Sequence, residues 1–126
     1  YKIWLIESTE AKEKLAKENR YQFGAGVFYV VGAKEDEAWV RKFDNHNFAE
    51  VDATIVATHM MLEITELGLG TTWVGHFDAP LLKEEFPEMK GYELIAIFPV
   101  GYPATEAKPS ERHTVRKTVE EAVSVL

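Results

Sequence analysis

The reactive side chains of this 126-residue chain are few, and their spacing excludes more chemistry than it permits. The four histidines (46, 59, 76 and 113) are scattered, with no His-x-x-x-His or His-x-His pair to bring two imidazoles to one metal. There is no cysteine, which removes disulfides, thiolate nucleophiles and cysteine-ligated zinc and suits a reducing compartment. No metal site is therefore expected. No Gly-x-Ser-x-Gly elbow and no P-loop is present. Gly68-Leu69-Gly70 is a fragment of a dinucleotide fingerprint, but it leads out of a helical pattern into a strand. A phosphate-binding loop runs the other way, so these glycines read as a helix stop. His76, between Gly75 and Phe77, reads as a loop hydrogen-bonder, and His59 as a satisfied core or interface histidine. Met60-Met61 reads as adaptable packing.

The net charge of −7 argues against a nucleic-acid partner, which needs a broad basic face. Within that acidic balance lies one inversion. Between Lys108 and Lys117 four cations (Lys108, Arg112, Arg116, Lys117) meet the single carboxylate of Glu111. Such a segment either grips a small phosphorylated ligand through arginine forks or is a solvated tail. Both readings stand at this point. No membrane span is expected, because the longest apolar run, Leu94 to Val100, is far short of a crossing. The length and a hydrophobic content of 46% fit one globular domain over residues 1–126. The chain starts at Tyr1 and runs directly into apolar Ile3 to Ile6, which suggests further residues upstream.

The elements that must carry these residues emerge from hydrophobic pattern and punctuation. Ile3 to Ile6 reads as a buried strand, and Ser8 caps a solvated helix over 10–20 anchored by Leu15. Val27 to Val31 reads as a strand covered on both faces. Trp39, Val40 and Phe43 find no place in this pattern. Asn47 with Glu50 forms a capping-box signature for a helix over 48–67, apolar around most of its circumference. Such a helix belongs at the core, in an oligomer interface, or in both. Gly68 ends it, Thr71 to Val74 reads as a strand, and Asp78 caps a further helix with Phe77 stapled onto Leu82. Residues 93–100 form a last strand with Pro99 at its end, and Thr118 with Glu121 caps a short helix reaching Leu126.

The run from Asp52 through Met60-Met61-Leu62 to Leu67-Gly68-Leu69-Gly70-Thr71-Thr72-Trp73-Val74-Gly75-His76-Phe77-Asp78 resembles the central signature of the nitroreductase family. Gly101-Tyr102-Pro103 and Arg112-His113-x-x-Arg116-Lys117 extend the resemblance toward the C-terminus. It implies an α+β fold, an α-β-α sandwich about a mostly antiparallel sheet, assembled as a domain-entwined homodimer with FMN at the subunit interface. It further implies that Trp73, Val74, Gly75 and His76 lie against the isoalloxazine, an amide there reaching flavin N5. Arg116, with Lys117 second, would pair with the FMN phosphate. The implied activity is hydride transfer from NADH or NADPH, by a ping-pong cycle, to a nitroaromatic, quinone or similar conjugated acceptor. No catalytic side chain is implied, since flavin N5 carries the chemistry, and a cytoplasmic enzyme is expected. The family's N-terminal Arg-x-Ser-x-Arg and Asn-x-Gln-Pro segments have no counterpart here, so the chain is expected to be N-terminally incomplete. The alternative reading is a non-catalytic interaction or scaffold domain derived from the flavin fold.

Overall fold

A computed structural model describes all residues, 1–126. Six strands and four helices run in the order β1 (Lys2–Ile6), α1 (Thr9–Glu18), β2 (Val27–Ala33), β3 (Val40–Arg41), β4 (His46–Asn47), α2 (Ala49–Glu66), β5 (Gly70–Thr71), α3 (Ala79–Glu85), β6 (Glu93–Gly101) and α4 (Val119–Ala122). Strands β1-β2-β6-β5 form one wholly antiparallel sheet, and β3 and β4 form a separate hairpin.

The sheet is covered on both sides, which is why β2 and β6 are apolar along their length. On one side Leu15 of α1 and Leu82 of α3 pack with Ile6, Phe28, Val30, Val74 and Ile97. On the other, α2 lays Ala49, Ala53 and Ala57 against Val31, Ala96, Phe98 and Val100. Alanine at every fourth position gives α2 a flat inner stripe, so that its backbone lies close to the sheet. The result is the expected α-β-α sandwich. No helix is long and apolar enough to cross a membrane.

Local signals account for most boundaries. Ser8 Oγ accepts from the Ala11 amide at 3.2 Å and starts α1. Asp78 Oδ1 accepts from the Leu81 amide at 3.0 Å and starts α3. Gly68, at φ 74°, supplies the left-handed residue that ends α2. The Thr118–Glu121 capping box forms, yet α4 stops at Ala122 rather than reaching Leu126.

Two expectations are corrected here, and three unplaced residues find their element. The Asn47–Glu50 capping box does not form, because Asn47 is held in β4 and its Nδ2 donates to the Glu35 carbonyl. Its Oδ1 accepts from the Ala49 amide instead, and Phe48 is the helix N-cap residue. Trp39, Val40 and Phe43 belong to the hairpin. Trp39 packs on Phe48 with ring centroids 4.9 Å apart, Val40 pairs with Asn47, and Phe43 rides the exposed turn. Pro99 does not end its strand, which continues to Gly101.

Candidate functional site

The expected strand over residues 71–74 is split, and Pro99 is the cause. Gly70 faces Gly101, Thr71 faces Val100, and beyond a gap Val74 faces Ile97 in the same register. Val74 and Ile97 exchange both backbone hydrogen bonds, at 3.0 and 2.9 Å. In an antiparallel ladder bonded pairs alternate, so the next bonded pair is Thr72 with Pro99. Proline has no N–H, so the Thr72 carbonyl meets no ladder donor. On its other edge, where Pro99 needs no N–H, β6 pairs with β2 along its length. The chain thus leaves the sheet at Thr72, touches it again at Val74 and departs at Gly75.

The Val74 contact fixes the residues on either side of it. Trp73 turns to the α2 side and packs edge-on against Phe98, centroids 5.2 Å apart. Val74 is buried on the opposite side. Gly75 and His76 are exposed, and their amides donate to no acceptor in the chain. At Gly75 a Cβ would meet nothing nearer than the Trp73 indole nitrogen, at 3.8 Å, and its φ is not positive. Nothing in its own chain therefore requires glycine there. A residue without a side chain beside two free amide donors leaves room for a flat group to approach the backbone. That arrangement fits the N5 edge of a flavin.

Two cavities flank the segment. A smaller one, about 450 Å³, lies between His76 and the end of α1, where Lys17 and Arg20 are balanced by Glu18 and Asp78. A larger one, about 940 Å³, lies at the sheet end and is walled by Phe23, Thr71, Thr72, Gly101 and Lys108 among others. Thr71 lines the larger one, while its Oγ1 is turned away from the open space, buried with no hydrogen-bond partner.

Of the four expected flavin-facing residues, Trp73 and Val74 turn their side chains to opposite faces of the sheet, Val74 into the core, and only Gly75 and His76 are exposed. Arg116 and Lys117 do not join them within this chain: both are exposed, and Arg116 donates only to the Val115 carbonyl, at 2.7 Å. No residue beyond Gly101 is buried, so packing does not draw this segment to the sheet. Sequence reasoning passed over the loop between α1 and β2. Buried Asn19 accepts from the Tyr21 amide at 3.0 Å and donates to the Tyr21 carbonyl, and its own carbonyl accepts from Gln22 Nε2. The aromatic-glycine pair Phe23-Gly24 was the one available signal there.

The sequence profile of the nitroreductase family matches residues 3–102. A nitroreductase family protein from Clostridium difficile 630 is 34% identical, with a TM-score of 0.86 over 98% of this chain and 72% of that one. The chain belongs to the nitroreductase family. The fold extends to more distant structures. One is a protein from Exiguobacterium sibiricum described as a nitroreductase and solved in complex with FMN, at 15% identity and TM-score 0.78, over 99% of this chain and 76% of that one. Another is described as an NAD(P)H:FMN oxidoreductase from Staphylococcus epidermidis, at 16% identity and TM-score 0.79, over 99% and 75%. No curated protein matches the chain. As a nitroreductase family member the chain falls in an oxidoreductase class, and the segment from Leu67 to Asp78 is where its family signature and its free backbone donors coincide.

Proposed function

We propose that this nitroreductase family member is an FMN-dependent oxidoreductase that uses NADH or NADPH to reduce nitroaromatic, quinone or similar conjugated acceptors. Bound FMN would supply the hydride chemistry at N5, alternately accepting and donating. The observation that carries the reading is the pair of unsatisfied amides at Gly75 and His76, held in place by the Val74–Ile97 bridge. An amide donor aimed at N5 stabilises charge that develops there as hydride arrives, and a donor already fixed in place needs no reorganisation. Trp73 and Val74 set the height of that donor above the sheet. Arg116 and Lys117 would hold the phosphate as charge-assisted donors.

A homodimer is part of the proposal. The outer face of α2 exposes Val51, Ile55 and Leu62, each more than a third accessible, an apolar stripe that a second copy would cover. A dimer also gives the exposed basic segment a surface to order against.

Titration with FMN, read as quenching of flavin fluorescence, tests the reading. Uptake by the dimer is expected, with bleaching of the flavin absorbance on addition of NADH or NADPH. Gly75→Val is expected to weaken FMN binding more than tenfold with an unchanged Tm, since a Cβ there meets only the Trp73 indole, at an ordinary contact distance of 3.8 Å. A folded dimer of the natural protein that takes up no FMN would sink the proposal and favour an interaction domain.

A further inference from the structure

Of the two cavities that flank the Trp73–His76 segment, only the smaller, about 450 Å³, is lined by a residue of the proposed flavin edge. His76, whose amide is one of the two free donors, stands on one wall, and the end of α1 forms the other. A molecule that reacts beside those amides has this trough for its remote part.

The charged groups on the walls are not equally free. Lys17 is committed to Glu85, its Nζ donating to both carboxylate oxygens at 3.0 and 3.1 Å. Asp78 Oδ1 accepts from the Leu81 amide. Arg20 has no carboxylate within ion-pair distance, and Glu18 has no cation. Arg20 is therefore the one uncompensated cation of the cavity.

Arg20 is also held in place. Its guanidinium lies over the Tyr21 ring, 4.9 Å from the centroid, and Nη2 donates to the Tyr21 hydroxyl at 2.7 Å. Tyr21 is fixed in turn. Buried Asn19 bonds its amide and carbonyl, Phe23 stacks on its ring with centroids 6.1 Å apart, and the His76 ring stands edge-on at 6.0 Å. Phe23 keeps that stack at φ 50°, a backbone that bulky side chains adopt only where the surroundings over-determine it. An arginine anchored to a tyrosine keeps most of its N–H donors for a ligand, in a fork that matches a terminal phosphate. A phosphate monoester carries a charge of about −1.5 to −2 at neutral pH, against about −1 on each phosphate of a pyrophosphate, so a lone guanidinium favours the monoester.

We propose that Arg20 is a specificity-determining residue that reads a phosphate monoester on the remote end of the reductant, the adenosine 2′-phosphate that distinguishes NADPH from NADH, so that this chain prefers NADPH. The preference between reductants rests on the flavin reading; binding of the phosphate at Arg20 does not. Glu18, of like charge to the phosphate and on the same wall, limits the preference.

In FMN-loaded protein, kcat/KM for NADPH should exceed that for NADH about five- to twentyfold, the range of a charge-assisted fork at an exposed site. Arg20→Gln should remove most of that ratio, Arg20→Lys should keep part of it because charge remains without the fork, and Glu18→Gln should raise it about two- to threefold. Adenosine 2′-monophosphate, titrated into protein without flavin, should shift the backbone amides of Glu18, Arg20 and His76 saturably, and adenosine should not. Equal use of both reductants, an unchanged ratio in Arg20→Gln, or no shifts at those amides overturns the proposal. Weakening of FMN binding about tenfold by Arg20→Gln overturns it too, since the phosphate would then be the cofactor's. Saturable shifts in protein that takes up no FMN uphold the phosphate site and remove the flavin reading instead.

Discussion

Strand β6 has two edges, and they are built to different ends. Along β2 it pairs over seven positions, with one bulge where Ile95 is passed over between Val31 and Gly32. Along β5 it pairs at Gly70 and Thr71, skips, and pairs again at Val74. The first edge joins two strands whose side chains are buried on both faces. The second leaves carbonyl and amide groups of Thr72, Gly75 and His76 without partners in the chain. One proline separates these outcomes, and it does so cheaply because its missing N–H points to the broken side alone. The sheet is closed where its core is buried and open where the cofactor is proposed to bind.

The largest effect is expected at the closed edge. Phe28 faces Pro99 from β2 and is 1% exposed in the cluster with Leu15, Val74 and Leu82. Phe28→Ala should cost about 3–5 kcal/mol, read as a shift in the urea midpoint with an unchanged slope. A loss below about 1 kcal/mol would show that the β2–β6 edge is not the stable one. Pro99→Val asks whether proline alone keeps the second edge open. The restored N–H contributes about 0.5–1.5 kcal/mol as a hydrogen bond to Thr72, and releasing the unfolded chain costs about 0.4–1 kcal/mol. Stability should therefore change by less than about 1 kcal/mol, while the new amide at position 99 becomes protected from hydrogen exchange. Exchange of that amide at the free-chain rate would refute the register of Thr72 opposite Pro99.

The smallest effect is expected away from both edges, at the surface ion pairs. Lys14 beside Glu10, Lys34 beside Glu37 and Arg41 beside Asp44 hold those three carboxyls below their ordinary range through side-chain hydrogen bonds. A depressed carboxylate contributes stability that is present above its unfolded pKa and lost as pH falls through its folded pKa, here below about pH 4.5. All three are solvent-exposed, so the loss should be slight and screened by salt. A steep fall in Tm between pH 7 and 5 would contradict this assignment.

What could be read from the sequence tracks how local its cause is. The strands at 2–6, 27–33 and 93–101 and the helix caps at Ser8, Asp78 and Thr118 were legible because apolar runs and capping side chains act over a few residues. The β3–β4 hairpin was not, since two-residue strands leave no alternation to detect and its turn relies on Asn45 at φ 57°. The split at Thr72 depends on which partner residue lies opposite, which no single segment encodes. Within the candidate site, Trp73 to His76 were found through the family signature, whereas Thr71 and Phe23 became visible only when the fold set them on one cavity. Arg116 and Lys117 remain a sequence expectation, because within this chain the segment beyond Gly101 buries nothing.

Asn19 has a further consequence. It closes α1 through its own amide, which donates to the Leu15 carbonyl, and it holds the Tyr21 backbone through its side chain. Opening the loop would strip a buried amide side chain of its partners, so the last helical turn and the loop that carries Phe23 form one cooperative unit of local unfolding. Anything that settles on the Phe23 ring stabilises the whole unit by mass action. Its imprint should therefore reach the amides of Lys17 to Asn19, as slowed exchange inside a helix it never touches.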